Sequence, residues 1–429
     1  MTEGRKGPVT EDRDGRRAGV PPEVDRPPPD GGTGVLAGLR VLDLAGEPLA
    51  YAGRMFADLG ADVVLVEPPG GGTGRSVPPL VAVATGVPVS AHFAFVAAGK
   101  RSIALDASTP GGRDLLDRLV ARADVVLVPE DDVALASHGI DVAGLRARHD
   151  RLVVASVRPF GGTGPRRSWR GSDLVAWASS GAMFGLGDPD RPPVAPGGGL
   201  GHAAAALNAA AGVMVALRAR RRTGRGQAVD ISAQEAVLSV GMEAGPLLTL
   251  EGRQNQSAGG RRAPGHGLYP VKDGMVEIVA FLPNQWQAVA EWVREELGYE
   301  EATLDTFGGS LLNRIEYFEL LDGWVLELTG RYTKQEFFEE AQRRGIPCGP
   351  VNSAGDLLHD PHLRSVGAWA DSPHPEAGSI RSPRGPVRFD GVPLSVGAVP
   401  SVGQHTDEIL AELGHTPEEV AGLRADGVI

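Results

Sequence analysis

From residue 36 onward, short unbroken apolar runs alternate with longer stretches whose apolar residues recur every third or fourth position. Unbroken runs suit strands buried on both faces, and the three-to-four spacing suits helices with one apolar stripe. On that pattern residues 39–44 and 60–67 predict strands, with a helix over 51–59 between them and Gly60 as its stop. The alternation repeats with strands at 100–106, 124–128 and 152–157. A helix started by Thr109 and Pro110 runs to 121, and a shorter one covers 142–149. This order predicts the α/β class with a parallel, doubly wound sheet. No G-x-G-x-x-G follows the first strand, which argues against an ordinary dinucleotide site.

Beyond residue 226 the pattern changes to a helix within 228–248, a polar glycine-bearing loop over 251–268, and a compact α+β stretch. The expected division is a flexible tail over 1–34, a large domain over 35–225, a linker helix and loop over 226–268, a small α+β domain over 269–344, and a last segment over 345–429. The tail is rich in Pro, Gly, Arg and Asp, and too poor in apolar residues to offset the entropy of ordering it.

Composition narrows the function classes. A formal charge of −12 argues against a general nucleic-acid binder. The single cysteine, Cys348, precludes an internal disulfide framework and fits a reducing compartment. There is no secretory signal and no unbroken apolar run of the ~18 residues that a membrane span needs. A cytoplasmic chain with no membrane partner is therefore expected. His266, His405 and Cys348 lack metal-ligand spacing, so no metal is expected.

Five blocks carry a family likeness. They are LAGLRVLDL with ADLGADVVLVEPPGG; GKRSIALD, containing Lys100 and Arg101; FGGTGP, starting at Phe160, with Gly171–Ser–Asp173; RTGRGQ, starting at Arg222; and GIPCGPVN with GQHTDE. In this order they resemble the class III CoA-transferases of the CaiB–BaiF type, over residue 36 to the C-terminus. The resemblance implies a Rossmann-like large domain completed by the C-terminal residues, a smaller domain from the middle, and an interlocked dimer. It implies acyl-CoA and a carboxylic acid acceptor as substrates.

Coenzyme A carries a diphosphate and a 3′-phosphate, so the Lys100–Arg101 pair at a strand mouth suits it, although a solvated basic pair reads the same way. Arg75, after a glycine-rich loop, and Arg158, at the end of a strand, are further candidates for CoA contacts. Gly161 and Gly162 sit in a turn whose backbone amides, by the resemblance, line the pocket over the thioester. Position 202 departs from the family, which places its catalytic aspartate there.

In the family that aspartate attacks the thioester carbonyl, forms a mixed anhydride, and then holds CoA as an enzyme thioester before an acceptor acid collects it. His202 cannot follow this cycle, because an imidazole accepts an acyl group but has no carboxyl carbon on which to hold CoA. Three readings stay open. This chain is the subunit without the nucleophile, paired with an aspartate-bearing paralogue rather than with itself; or His202 acts as a general base or acyl carrier; or another carboxylate, Asp173 or Glu235, takes over. Asp173 and Glu235 also suit plain helix or turn support. A CoA-thioester-binding protein without turnover is the expectation from outside the enzymes.

Overall fold

A computed structural model describes residues 34–44, 46–129, 140–241, 244–252, 259–307, 311–392 and 396–429; residues 1–33 of the expected tail lie outside the described residues. Its strands begin with β1 (Arg40–Asp43) and β2 (Asp62–Glu67), then a small hairpin of β3 (Leu80–Val81) and β4 (Val89–Ser90). They continue with β5 (Arg101–Ala104), β6 (Val125–Val128), β7 (Val153–Arg158) and β8 (Ala228–Ser232). Apart from the hairpin these form one parallel sheet in the order β5-β2-β1-β6-β7-β8.

The helices around this sheet are α1 (Ala50–Asp58), α2 (Ala91–Ala97), α3 (Pro110–Arg122), α4 (Val142–Arg148), α5 (Asp173–Ser179), α6 (Leu200–Thr223), α7 (Ala233–Val240) and α8 (Ala244–Glu251). The unbroken apolar runs have a direct cause. All four residues of β6 are 0% exposed, and they alternate between two cores on opposite faces of the sheet. One face takes Phe56 of α1, Ala205, Ala209 and Val213 of α6, and Val237 of α7. The other takes Leu115 and Leu119 of α3 and Leu145 of α4. Each of the Val, Leu and Phe side chains among these contributes about 1.5–3 kcal/mol through burial. At the entrance to β2, Gly60 is left-handed (φ +91°) and packs on Gly34, where an added Cβ would come within 2.6 Å of the Gly34 Cα.

A second, antiparallel sheet has the order β12-β11-β10-β9, from β9 (Arg261–Ala263), β10 (His266–Val271), β11 (Gly274–Val279) and β12 (Cys348–Pro350). The helices α9 (Pro283–Leu297), α10 (Leu311–Glu316), α11 (Phe318–Thr329) and α12 (Lys334–Arg343) accompany it. Trp286, Trp292, Val325 and Phe337 form its core with Tyr269 and Ile278. Arg314 is fully buried and donates to the carbonyls of Pro264, Ala280 and Phe281 at 3.2, 2.6 and 2.9 Å.

The chain then passes through α13 (Ala354–His359), α14 (Pro361–Ser365) and a hairpin of β13 (Trp369–His374) and β14 (Gly378–Pro383). It ends with α15 (Thr406–Glu412) and α16 (Pro417–Ala425). Ile409, Leu410 and Val420 from these last helices are buried in the same core as α3, so the C-terminus covers the parallel sheet.

Three sequence expectations shift. Residues 226–268, expected as a linker helix and loop, supply β8, because Ala228–Ser232 adds to β7 with only its last two residues buried. The same interval supplies β9, and β12 lies past residue 344, so the smaller sheet extends beyond 269–344 on both sides. Finally, α6 is by length and composition alone apolar enough to cross a membrane, with 24 residues and a mean hydropathy of 1.6 over its best window. A search for unbroken apolar runs passes it over because Gly201, His202, Asn208 and Gly212 interrupt it.

Candidate active site

The last turn of α6 is tied to the amino edge of the parallel sheet: Arg220 Nη2 donates to Asp124 Oδ1 at 3.0 Å, just ahead of β6. Its first turn therefore lies at the carboxyl edge, the place where open parallel sheets gather ligands. His202 is in that first turn. The N-cap of α6 is Gly199, which has no side chain to accept from the free amides, and Asp173 from the start of α5 takes that part. Its Oδ1 accepts from the His202 backbone N–H at 2.8 Å. Asp173 is thus brought to the His202 main chain and supports the helix.

Gly201 leaves room for this contact, since a Cβ there would stand 2.9 Å from Asp173 Oδ1 and 3.1 Å from Trp177 Nε1. Gly201→Ala is expected to displace the Asp173 carboxylate and cost about 1–3 kcal/mol of stability, measurable as a lower urea midpoint.

The His202 side chain is partly open, at 23% exposure, and faces an acid that sequence reasoning missed. Its Nδ1 lies 3.8 Å from Oε2 of Glu47, in the loop between β1 and α1. The other oxygen of Glu47 accepts a tight hydrogen bond from Nε2 of His92, on the first turn of α2. Glu47 stands just ahead of α1, whose dipole favours a negative charge there. One carboxylate thus sits between two imidazoles drawn from three separate elements.

The bond to Glu47 raises the His92 pKa above the ordinary histidine value, outweighing the opposing effect of burial. A raised value in the folded state means that stabilisation by this pair is complete below the ordinary histidine range. It fades as pH climbs through the raised value. NMR titration of His92 is expected to give a midpoint above that of a free imidazole, and Glu47→Gln is expected to bring it down.

The expected phosphate-binding cations are placed differently from one another. Lys100 is 3% exposed; its ammonium donates to Asp43 Oδ2 at 2.7 Å and to the Ala50 carbonyl at 2.9 Å, so it faces the interior and not a ligand. Arg101 opens β5 at the amino edge, opposite His202, where it holds Asp62 through two 2.9 Å bonds and also meets Glu408 and Glu412. These acids raise its pKa further despite burial.

Arg75 does reach the carboxyl edge, but its guanidinium is bonded to buried Glu67 at 2.6 and 2.8 Å and to the Pro400 carbonyl at 3.1 Å. It also lies over the Phe93 ring. Arg158 ends β7 beside Ser232 of β8 and is half-buried at that edge. Gly161 and Gly162 follow it. Asp230 of β8 pins their turn by accepting from Gly162 N–H at 2.7 Å.

The structure therefore gathers His202, Asp173, Arg158, Gly161, Gly162 and Arg75 at one edge, leaves Arg101 at the other, and encloses Lys100. It adds Glu47, His92 and Asp230. Among the described residues, no group of three or more His, Cys, Asp or Glu side chains is arranged to hold a metal ion. Burial pushes the Cys348 thiol up to about 12, far from a reactive thiolate.

Comparison with known proteins identifies the family. The family model described as CoA-transferase family III matches residues 36–406. The BbsE subunit of succinyl-CoA:(R)-benzylsuccinate CoA-transferase from Thauera aromatica is 34% identical over 402 residues, covering 91% of this chain and 97% of that protein. Formyl-CoA:oxalate CoA-transferase from Streptomyces avermitilis is 30% identical, covering 92% and 100%. The crystal structure of a CaiB/BaiF family protein from Brucella suis matches with a TM-score of 0.79 at 29% identity, over 89% of this chain and 100% of that one. The family-model match over residues 36–406, with relatives of 30% identity or more covered nearly end to end, identifies the chain as a member of the class III CoA-transferase family.

Proposed function

We propose that this chain moves CoA from an acyl-CoA to an acceptor carboxylic acid as the subunit of a two-chain transferase that lacks the nucleophile, its partner being an aspartate-bearing paralogue. One observation carries the reading: an imidazole occupies the first turn of α6 at the carboxyl edge, where the family resemblance implies the CoA-holding aspartate. That a relative of similar length is itself named as a subunit supports it. Arg158, Gly161 and Gly162 are the acyl-CoA contacts in this proposal.

An interlocked assembly in a cytoplasmic setting belongs to the same proposal. The assembly is supported by exposed Leu200, Leu207 and Met214, which recur every seven residues along α6, together with Val215 at 69% exposure. Such a contiguous apolar stripe fits contact with a second chain.

The test is co-expression with an aspartate-bearing paralogue, followed by CoA-transfer assays on the complex and on the chain alone. The expected result is a stable complex that transfers CoA at least ~100-fold faster than the chain alone, a difference of about 2.7 kcal/mol in barrier. Equal rates for the chain alone would overturn the two-chain reading.

A second reading has its own observation. Because Glu47 Oε2 lies 3.8 Å from His202 Nδ1, the pocket that lost a carboxylate at position 202 has one arriving from another loop. On that second reading the chain would need no partner, and CoA transfer by the chain alone separates it from the two-chain reading.

A further inference from the structure

We infer that Glu47 is the carboxylate on which this chain holds CoA, moved into the pocket from the β1–α1 loop. The inference rests on the self-contained reading above and names the residue that reading requires.

Holding CoA requires a carboxyl group that is reachable and is not committed to holding the backbone. The other acids at this edge fail one of these conditions. Asp43 is wholly buried and held by Lys100. Glu67 is buried and clamped by Arg75. Asp173 caps α6, and Asp230 pins the Gly162 turn. Glu235 is exposed on the first turn of α7, with no ion pair to the His202 ring, whereas Glu47 lies within 4 Å of it.

Glu47 meets both conditions. Its side chain is 26% exposed, it stands before the N-terminus of α1, and only one of its oxygens is bound, by His92. Oε2 is left facing His202, within a side chain's reach of the family's reaction centre.

The chemistry balances without any further reactant. Glu47 Oε2 attacks the thioester carbonyl; a C–O bond forms, the C–S bond breaks, and CoA leaves as thiolate, giving a mixed anhydride. The thiolate attacks Cδ of Glu47 and expels the donor acid as its carboxylate, leaving CoA as a thioester on the side chain. The acceptor carboxylate attacks the same carbon and again frees the thiolate. The thiolate then attacks the acceptor's acyl carbon, releasing the new acyl-CoA and restoring the Glu47 carboxylate. No net proton or electron is consumed. His92 contributes as a positioning donor: its N–H on Oε1 draws electron density from Cδ at both steps in which that carbon is attacked.

The experiment incubates the purified full chain, without any paralogue, with succinyl-CoA. Borohydride then reduces any side-chain thioester to an alcohol, and peptides are mapped by mass spectrometry. Transfer of CoA to a second acid is measured in parallel. The expected result is the alcohol at Glu47, its loss in Glu47→Gln, and a fall in transfer by the chain alone of on the order of 1000-fold. Circular dichroism and the His202 amide resonance check that the variant is folded. Reduction found at Asp173 or another carboxylate would overturn the Glu47 assignment while leaving the chain self-contained. No adduct and no transfer by the chain alone, with transfer by the two-chain complex, would overturn the inference and leave the two-chain proposal standing.

Discussion

Replacing Lys100 with alanine is expected to lower the free energy of unfolding by about 3–5 kcal/mol. The ammonium bonds Asp43 at 2.7 Å, and both side chains are at most 1% exposed. Removing Lys100 takes the ammonium away from a carboxylate that stays in the interior between β1 and α1. Gly53 sits against the same pair, since a Cβ there would be 2.5 Å from Asp43 Oδ2, so no water-filled space is at hand to take over. Urea unfolding without any CoA ligand measures the effect. The double variant Lys100→Met with Asp43→Leu is expected to recover most of the loss, because removing both charges removes the burial penalty. A Lys100→Ala protein as stable as the parent but weaker in CoA binding would return this lysine to the phosphate-binding role that the resemblance implied.

His202→Asp is expected to act in the opposite direction, by creating chemistry. The substitution puts a carboxyl carbon at the first turn of α6, whose dipole favours an anion, beside an Asp173 cap that bonds the backbone of residue 202. The chain alone is then expected to form a CoA thioester at residue 202 and to transfer CoA on the order of 100-fold faster than the histidine protein, about 2.7 kcal/mol in barrier. Mass mapping and an exchange assay check it. A folded variant with no adduct at 202 would mean that the thioester is not presented to this turn.

The parallel sheet was readable because its strands are buried on both faces. Runs such as Val125–Val128 need no alternation, and their apolar character survives without any knowledge of partners. Helix ends were readable where capping is local, as with Thr109 accepting from Gly112 ahead of α3. β8 escaped because it is a short edge strand of mixed burial, next to a helix of stronger pattern.

The site was only half readable. His202 and the Gly161–Gly162 turn stand in contiguous motifs, whereas the Glu47 pairing joins residues 45 and 155 positions apart, by subtraction of 47 from 92 and from 202. Nothing local in Gly46–Glu47–Pro48 announces either partner. The cations misled for the same reason: a lysine before a strand looks alike whether its counter-ion is a phosphate or a buried Asp43.

The account's central claim is that residue 202 never carries CoA in this protein. Its most direct test is tandem mass spectrometry of the wild-type chain after exposure to acyl-CoA and without reductant, read over residues 200–218, a segment with no carboxylate side chain. The expected result is that segment at its unmodified mass, whatever is found at Glu47 or on a partner chain. A CoA-bearing mass localised to His202 would contradict the account.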